Sequence, residues 1–402
     1  MYPENDGESM PEPARRKPVL TIGVMVLAGL TFAWQQMDFR GVVELLAPGP
    51  VALYGGLVRE LCAGNLWGAL AGAGRASVAL LSCVFPHGDF LHIAFNLSWI
   101  WLFGRVLEEN VGRGLWLVLF LTSAVVGSAA ELAWSDQLGI GLSGVVYGLF
   151  GFIWFTRHRY PAFHSVINKQ TALWMAGWLV FCIVMTEAGQ MNVANGAHFG
   201  GLVAGSLIGL SARRWANGAV LTSAVLLIAS VAGVVTAPWS PTFQALVAVE
   251  AFQSGDYEEA RDRAMAAAKM DSRRAAWTSA LLADISIRQG NYRAAQEEFA
   301  KSAENWKEDA DFLNQYAWLL ATCPDANIRD GRKAVELATQ AAELTDWEDA
   351  AVLDTLAAAY AESGDFPAAV KWQRKAVEIL PQEKDLAEHL ALYEQGRALR
   401  SK

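Results

Sequence analysis

Four polar side chains set in apolar surroundings could carry chemistry in this sequence. Ser143 lies within Gly141-Leu142-Ser143-Gly144, and His198 within Asn195-Gly196-Ala197-His198. His92 and Asn96 stand one helical turn apart in a run that starts at His87. A serine hydroxyl is a poor nucleophile until a base removes its proton, and His198 supplies a base that titrates near neutral pH. Attack on a carbonyl creates an oxyanion that needs preorganised donors. His92, Asn96 and the backbone N–H of Ser143, at a helix N-terminus, can provide them. Asp89 reads as the N-cap of the helix that carries His92 and Asn96. The sequence positions no carboxylate to orient His198; Tyr147, one turn beyond Ser143, can stack on its ring.

Each piece also has a plainer reading. Glycine and serine in spanning helices usually permit close packing, and the Gly201-x-x-x-Gly205 pair is read that way. A buried histidine or asparagine can simply satisfy an interhelical hydrogen bond. Ionisable groups at membrane depth are costly, however, and three histidines and a serine at one depth exceed what packing requires. His87 and His92 could ligate a metal, yet no carboxylate or cysteine joins them at that depth and no HExxH spacing exists. Neither a metal nor a cofactor is expected. Cys62, Cys83, Cys182 and Cys323 lack CxxC spacing; Cys62 and Cys83 could meet in a disulfide on one membrane face.

The elements that must position these residues are membrane helices. Of 402 residues, 53% are hydrophobic and 18% charged. Residues 1–240 carry 13 charges of each sign, whereas 241–402 carry 19 basic against 28 acidic residues. One part is membrane-like and the other an acidic soluble module; with no basic patch, nucleic acid is excluded as a partner. Glu4, Asp6 and Glu8 argue against a targeting peptide. Seven spans are predicted, each near the ~20 residues needed to cross a bilayer: Val19–Met37, Asp89–Glu108, Leu115–Trp134, Gly141–Phe155, Ala172–Glu187, Val193–Leu210 and Ala219–Trp239. Arg15–Lys17, Arg105 with Arg113, Arg157 with Arg159 and Lys169, and Arg213 with Arg214 all fall on one side. The positive-inside rule makes that side cytoplasmic. The stretch 38–86, apolar but broken by glycines, is expected to lie in the interface.

After Pro241 the pattern turns to short helices. Gly255-Asp256-Tyr257, Gly290-Asn291-Tyr292 and Gly364-Asp365-Phe366 each precede an Ala-rich helix. Ala260, Ala295, Ala334 and Ala369 recur at close to the 34-residue period of tetratricopeptide repeats (TPR), with a longer turn at Cys323–Asp330 and a capping helix expected over Leu386–Arg400. Such arrays stack paired helices and bind proteins or peptides on a concave face.

Taken together, the spacing of His87, His92 and Asn96, the run Gly141-Leu-Ser-Gly-Val-Val-Tyr147, and Ala-Asn-Gly-Ala-His198 followed by glycines resemble the rhomboid intramembrane proteases over about residues 19–212. The resemblance implies Ser143 as nucleophile, His198 as general base, and an oxyanion hole of His92, Asn96 and the Ser143 amide. It makes His87, Tyr147, Gly141 and Gly144 supporting positions, and matches Glu108 and Gly112 to a structural acid and glycine. One departure stands out: where the family has Trp-Arg before the first histidine, this sequence has Val78 and Ala79, and its nearest arginine is Arg75.

The expected architecture is all-α: a cytoplasmic tail (1–17), a membrane core (18–215), a seventh span (216–240) and a TPR-type α-solenoid (241–402). The expected activity is serine endopeptidase cleavage in or near transmembrane segments of membrane-protein substrates. The repeats would bind a protein or peptide, the N-terminus would be cytoplasmic, and the tail external or periplasmic on a multi-pass protein of the inner or plasma membrane. The rivals are an inactive rhomboid-like scaffold that acts through its repeats, and a transporter with broken helices, which would need an internal membrane repeat that the sequence lacks.

Overall fold

Along the first helix, α1 (Val19–Gln35), Thr21, Thr31 and Gln35 are buried while Ile22, Val26 and Leu30 are exposed. Polar side chains face inward and apolar ones outward, the arrangement a helix adopts when lipid is its solvent. The computed structural model describes residues 17–214, 217–303 and 305–401. The tail expected at 1–17 lies, Lys17 apart, outside the described residues, as does the junction at 215–216. The chain forms two compact units, 1–246 and 247–402.

In the first unit, the stretch after α1 is helical: α2 (Phe39–Leu46), α3 (Pro50–Cys62) and α4 (Leu66–Ser82). Residues 39–62 are long and apolar enough to cross a membrane, but the helix breaks ahead of Pro50 into α2 and α3. Then follow α5 (Phe90–Trp99), a wider π-helical turn at Ile100–Gly104, and α6 (Arg105–Val111), together the second expected span. α7 (Arg113–Ser135), α8 (Ser143–Thr156), α9 (Lys169–Glu187), α10 (Asn195–Arg214) and α11 (Gly218–Thr236) follow over the remaining expected spans. Five stretches are long and apolar enough to cross a bilayer: 39–62, 90–111, 113–135, 169–187 and 218–236; α1 and α8 are apolar but shorter.

α7, α8 and α10 form the centre. The Gly201–Gly205 pair packs as expected: a methyl group on Gly201 would fall on the carbonyl of Gly144, and one on Gly205 on that of Gly148. Two backbones therefore touch along α8 and α10. Glu108, fully buried, caps α1: it accepts the N–H groups of Leu20 (3.0 Å) and Thr21 (2.8 Å) and the Thr21 hydroxyl (2.9 Å). No disulfide forms among the described residues, because Cys83 is buried against the Ser128 hydroxyl (3.1 Å) while Cys62 is exposed on α3. At the end of the unit, Asp136 adopts a left-handed conformation (φ 56°). Its carboxylate accepts from the Ser240 hydroxyl and from the Thr242 hydroxyl (2.6 Å) and N–H (3.2 Å). Phe243 packs edge-on to Tyr54 of α3, with ring centroids 5.5 Å apart.

The repeats are helical hairpins: α12 (Pro241–Ser254) with α13 (Tyr257–Met270), α14 (Ala275–Arg288) with α15 (Tyr292–Ser302), α16 (Ala310–Thr322) with α17 (Gly331–Leu344), and α18 (Ala350–Glu362) with α19 (Phe366–Ile379). Gly255, Gly290 and Gly364 close the first helix of their hairpins at positive φ, and the next residue's side chain caps the following helix. Ala260, Ala295, Ala334 and Ala369 are each fully buried. The cap differs from expectation: α20 spans only Lys384–Glu394. Gly396, at φ +69°, ends it, and Arg397–Ser401 run on without helix.

Candidate active site

Asp89 accepts the N–H of His92 (2.8 Å) and so starts α5 with His92 and Asn96 on one face. The Gly88 N–H donates to Nδ1 of His92 (3.3 Å), which leaves the ring proton on Nε2. That nitrogen faces Gly141: a methyl group there would stand 2.7 Å from His92 Nε2 and 3.5 Å from Asn96 Nδ2. Gly141 also has φ +106°, so both its conformation and its surroundings require glycine. His87 holds the same turn from the other side. The Leu142 N–H donates to His87 Nε2 (3.4 Å), and His87 Nδ1 bonds the Phe85 carbonyl (2.9 Å). The rings of His87 and His92 lie 4.9 Å apart, edge to face. Their nitrogens are engaged with backbone groups and the site, which is not the geometry of a shared metal.

Ser143 is the first residue of α8. Its neighbour Gly144 meets Ala197 so closely that an added methyl would be 3.0 Å from the Ala197 carbonyl. That contact between α8 and α10 lies one residue from Ser143 on one helix and one residue from His198 on the other. His198 is 3% exposed. Its ring lies 4.9 Å from that of Tyr147, whose hydroxyl donates to the Met175 carbonyl of α9 (2.9 Å). Among the described residues, His198 Nδ1 and Asn96 Nδ2 are buried with no hydrogen-bond partner. Unpaired buried polar atoms are uncommon and ask for an explanation. A cavity of about 10 Å³, roughly the space of one water, borders Ser143, Gly141, Ser123 and Ser128.

Sequence reading missed two residues. Glu131 of α7 is buried and accepts the Ala197 N–H (3.2 Å), so a carboxylate does stand at this depth. It secures the first turn of α10 rather than the imidazole. Its charge within an apolar span was the available signal. Gln35, at the end of α1, holds the backbone of His87 on both sides, accepting its N–H (3.0 Å) and donating to its carbonyl (3.3 Å). In place of the family's Trp-Arg, Val78 is exposed and Ala79 buried. Arg75 instead approaches Gly56 across α3 and α4.

Residues 74–215 match the family model described as Rhomboid domain. The chain is 38% identical over 133 residues to rhomboid protease GlpG of Serratia proteamaculans (strain 568), 32% of this chain and 45% of that one. It is 36% identical over 124 residues to GlpG of Photorhabdus laumondii subsp. laumondii, 31% and 43% of the two chains. It thus spans less than half the length of these relatives. The solved structure of yeast Tom70 aligns over 94% of this chain and 89% of its own at 12% identity, with a TM-score of 0.34.

Proposed function

We propose that the rhomboid domain at residues 74–215 makes this chain an intramembrane serine endopeptidase. The observation that carries the proposal is the turn at Gly141, just ahead of a serine at a helix N-terminus, which two side-chain donors, His92 Nε2 and Asn96 Nδ2, approach. Ser143 attacks the scissile carbonyl while His198 takes its proton. The tetrahedral oxyanion receives hydrogen bonds from His92, Asn96 and the Ser143 amide. His198 then protonates the leaving amine, and a water, activated by the same imidazole, hydrolyses the acyl-enzyme and restores the serine. The water-sized cavity beside Ser143 is suited to hold that water. Tyr147, rather than a carboxylate, keeps the His198 ring in place.

The length of α8 sets the depth of the chemistry. Fourteen residues give about 21 Å of helix, short of the ~30 Å hydrocarbon core. With its far end at the cytoplasmic interface, α8 starts below the opposite surface. The substrate is then a membrane protein cleaved in or near its transmembrane segment. The N-terminus is cytoplasmic, α11 crosses once more, and the repeats on the opposite, external side bind a protein or peptide.

A fluorophosphonate probe tests the dyad in detergent. The wild type labels, Ser143→Ala abolishes labelling, and His198→Ala greatly reduces it. Labelling that survives Ser143→Ala rejects the nucleophile. A wild type that neither labels nor cleaves favours the inactive scaffold instead.

A further inference from the structure

The repeats enclose a groove of about 720 Å³, with Asn314 and Trp318 of α16 and Asp354 of α18 in its wall. Ser401 lines it as well. Ser401 lies beyond the last helix and reaches the groove only because the chain doubles back. The Gly396 N–H bonds the Tyr393 carbonyl (3.0 Å) and the Arg397 N–H the Leu392 carbonyl (3.0 Å), which turns the chain out of α20.

We propose that segment 397–401 is an internal ligand docked at the Thr322 edge of this groove and on the core beside it, one that an external extended peptide of the same chemistry displaces. That chemistry is a small-apolar pair, an arginine and a hydroxyl residue. The proposal rests on the reading that the repeats bind a protein or peptide. Three contacts define it. Ala398 and Leu399 pack on the repeat core. Arg400 Nη2 meets Glu362 Oε2 at 2.7 Å. The Ser401 N–H donates to the Thr322 carbonyl (2.8 Å), and the two hydroxyls pair (2.6 Å).

Each contact is transferable to another chain. Thr322 is the last residue of α16, so its carbonyl has no helical donor, and any extended backbone can supply one. Glu362 is held independently of Arg400: its other oxygen takes Arg329 Nε (2.9 Å), and Arg329 is itself fixed to the carbonyls of Cys323 (2.7 Å) and Pro324 (3.1 Å). The acceptor set therefore persists when the segment leaves. Tethering gives the segment a millimolar effective concentration, so weak contacts suffice to close this end in cis.

The test uses the full chain in detergent micelles, the same chain lacking 397–402, and a fluorescein-labelled peptide of the sequence of residues 394–402. The shortened chain is expected to bind the peptide at least about tenfold more tightly than the full chain. An alanine at the peptide position equivalent to Arg400 should weaken that binding about fivefold. A second measurement needs no deletion. In hydrogen exchange on the full chain, excess peptide should strip protection from the Ser401 amide. Equal affinity for both chains, no binding to a shortened chain that keeps its helicity, or unchanged Ser401 protection would each overturn the proposal. None of these outcomes touches the binding role of the repeats, which deleting 247–402 tests separately.

Discussion

The Gly88 N–H donates to Nδ1 of His92 across 3.3 Å, and this one bond decides which way the imidazole can give a proton. With Nδ1 occupied as an acceptor, the neutral ring carries its hydrogen on Nε2, the nitrogen beside Gly141. His92 is thus preset as a donor toward the turn that ends in Ser143.

Removing one oxyanion donor typically costs about 100- to 1,000-fold in rate. His92→Ala and Asn96→Ala are therefore expected to lower kcat by that order while leaving KM and thermal unfolding near wild type. Detergent assays on a transmembrane reporter check this. Unchanged kcat in both variants would mean the oxyanion is held elsewhere.

The backbone contact between α8 and α10 leaves no room for a side chain. Gly201→Leu should drive the helices apart, at more than the ~1–3 kcal/mol of ordinary overpacking, and abolish probe labelling of Ser143. Gly177, with nothing near it, is the control: Gly177→Leu should label like the wild type.

In the repeats, His389 Nδ1 bonds Asp354 at 2.8 Å. Burial pulls the imidazole pKa down, but the hydrogen bond and charge of Asp354, with Asp385 and Glu388, outweigh it and raise it above the usual 6.5. A raised folded-state value stabilises the fold fully below the unfolded pKa, and that stability fades as pH rises through the folded one. The repeats should melt at higher temperature at pH 6 than at pH 8.5, and His389→Gln should flatten the difference. A wild-type midpoint that rises over this interval would contradict the assignment.

Sidedness can be read with a membrane-impermeant maleimide. Ser363 is exposed at the end of α18. In a Cys62→Ala background, Ser363→Cys should react in intact cells, or in spheroplasts where an outer membrane intervenes. Reaction only after lysis would mean that α11 does not cross.

Deleting 247–402 should spare cleavage of a generic transmembrane reporter and weaken processing of the native substrate. Deleting from 241 should do more harm, because Thr242 and Phe243 belong to the membrane unit. Equal activity of the two truncations would show that those contacts do not matter to the core.

The helices and the glycine packing were legible because lipid and close approach leave strong marks: long apolar runs, and glycines four residues apart. The residues gathered around Gly141 could be named because polar groups are rare at that depth. Gln35 could not be, because a glutamine at the end of a span looks like an interface residue until the fold brings His87 to it. Asp136 was equally silent, since its partners Ser240 and Thr242 lie more than a hundred residues on. The cap was misjudged because Leu386 and Tyr393 carry a helical pattern that Gly396 ends early.

The Asp136 carboxylate also imposes an order on biogenesis. Asp136 opens the short connection to Ser143, and its partners emerge from the ribosome only after α11 has been made. A nascent chain that stops before Ser240 cannot fix that connection at its Asp136 end. The loop that leads to Ser143 therefore gains its Asp136 contacts only after α11 has been made.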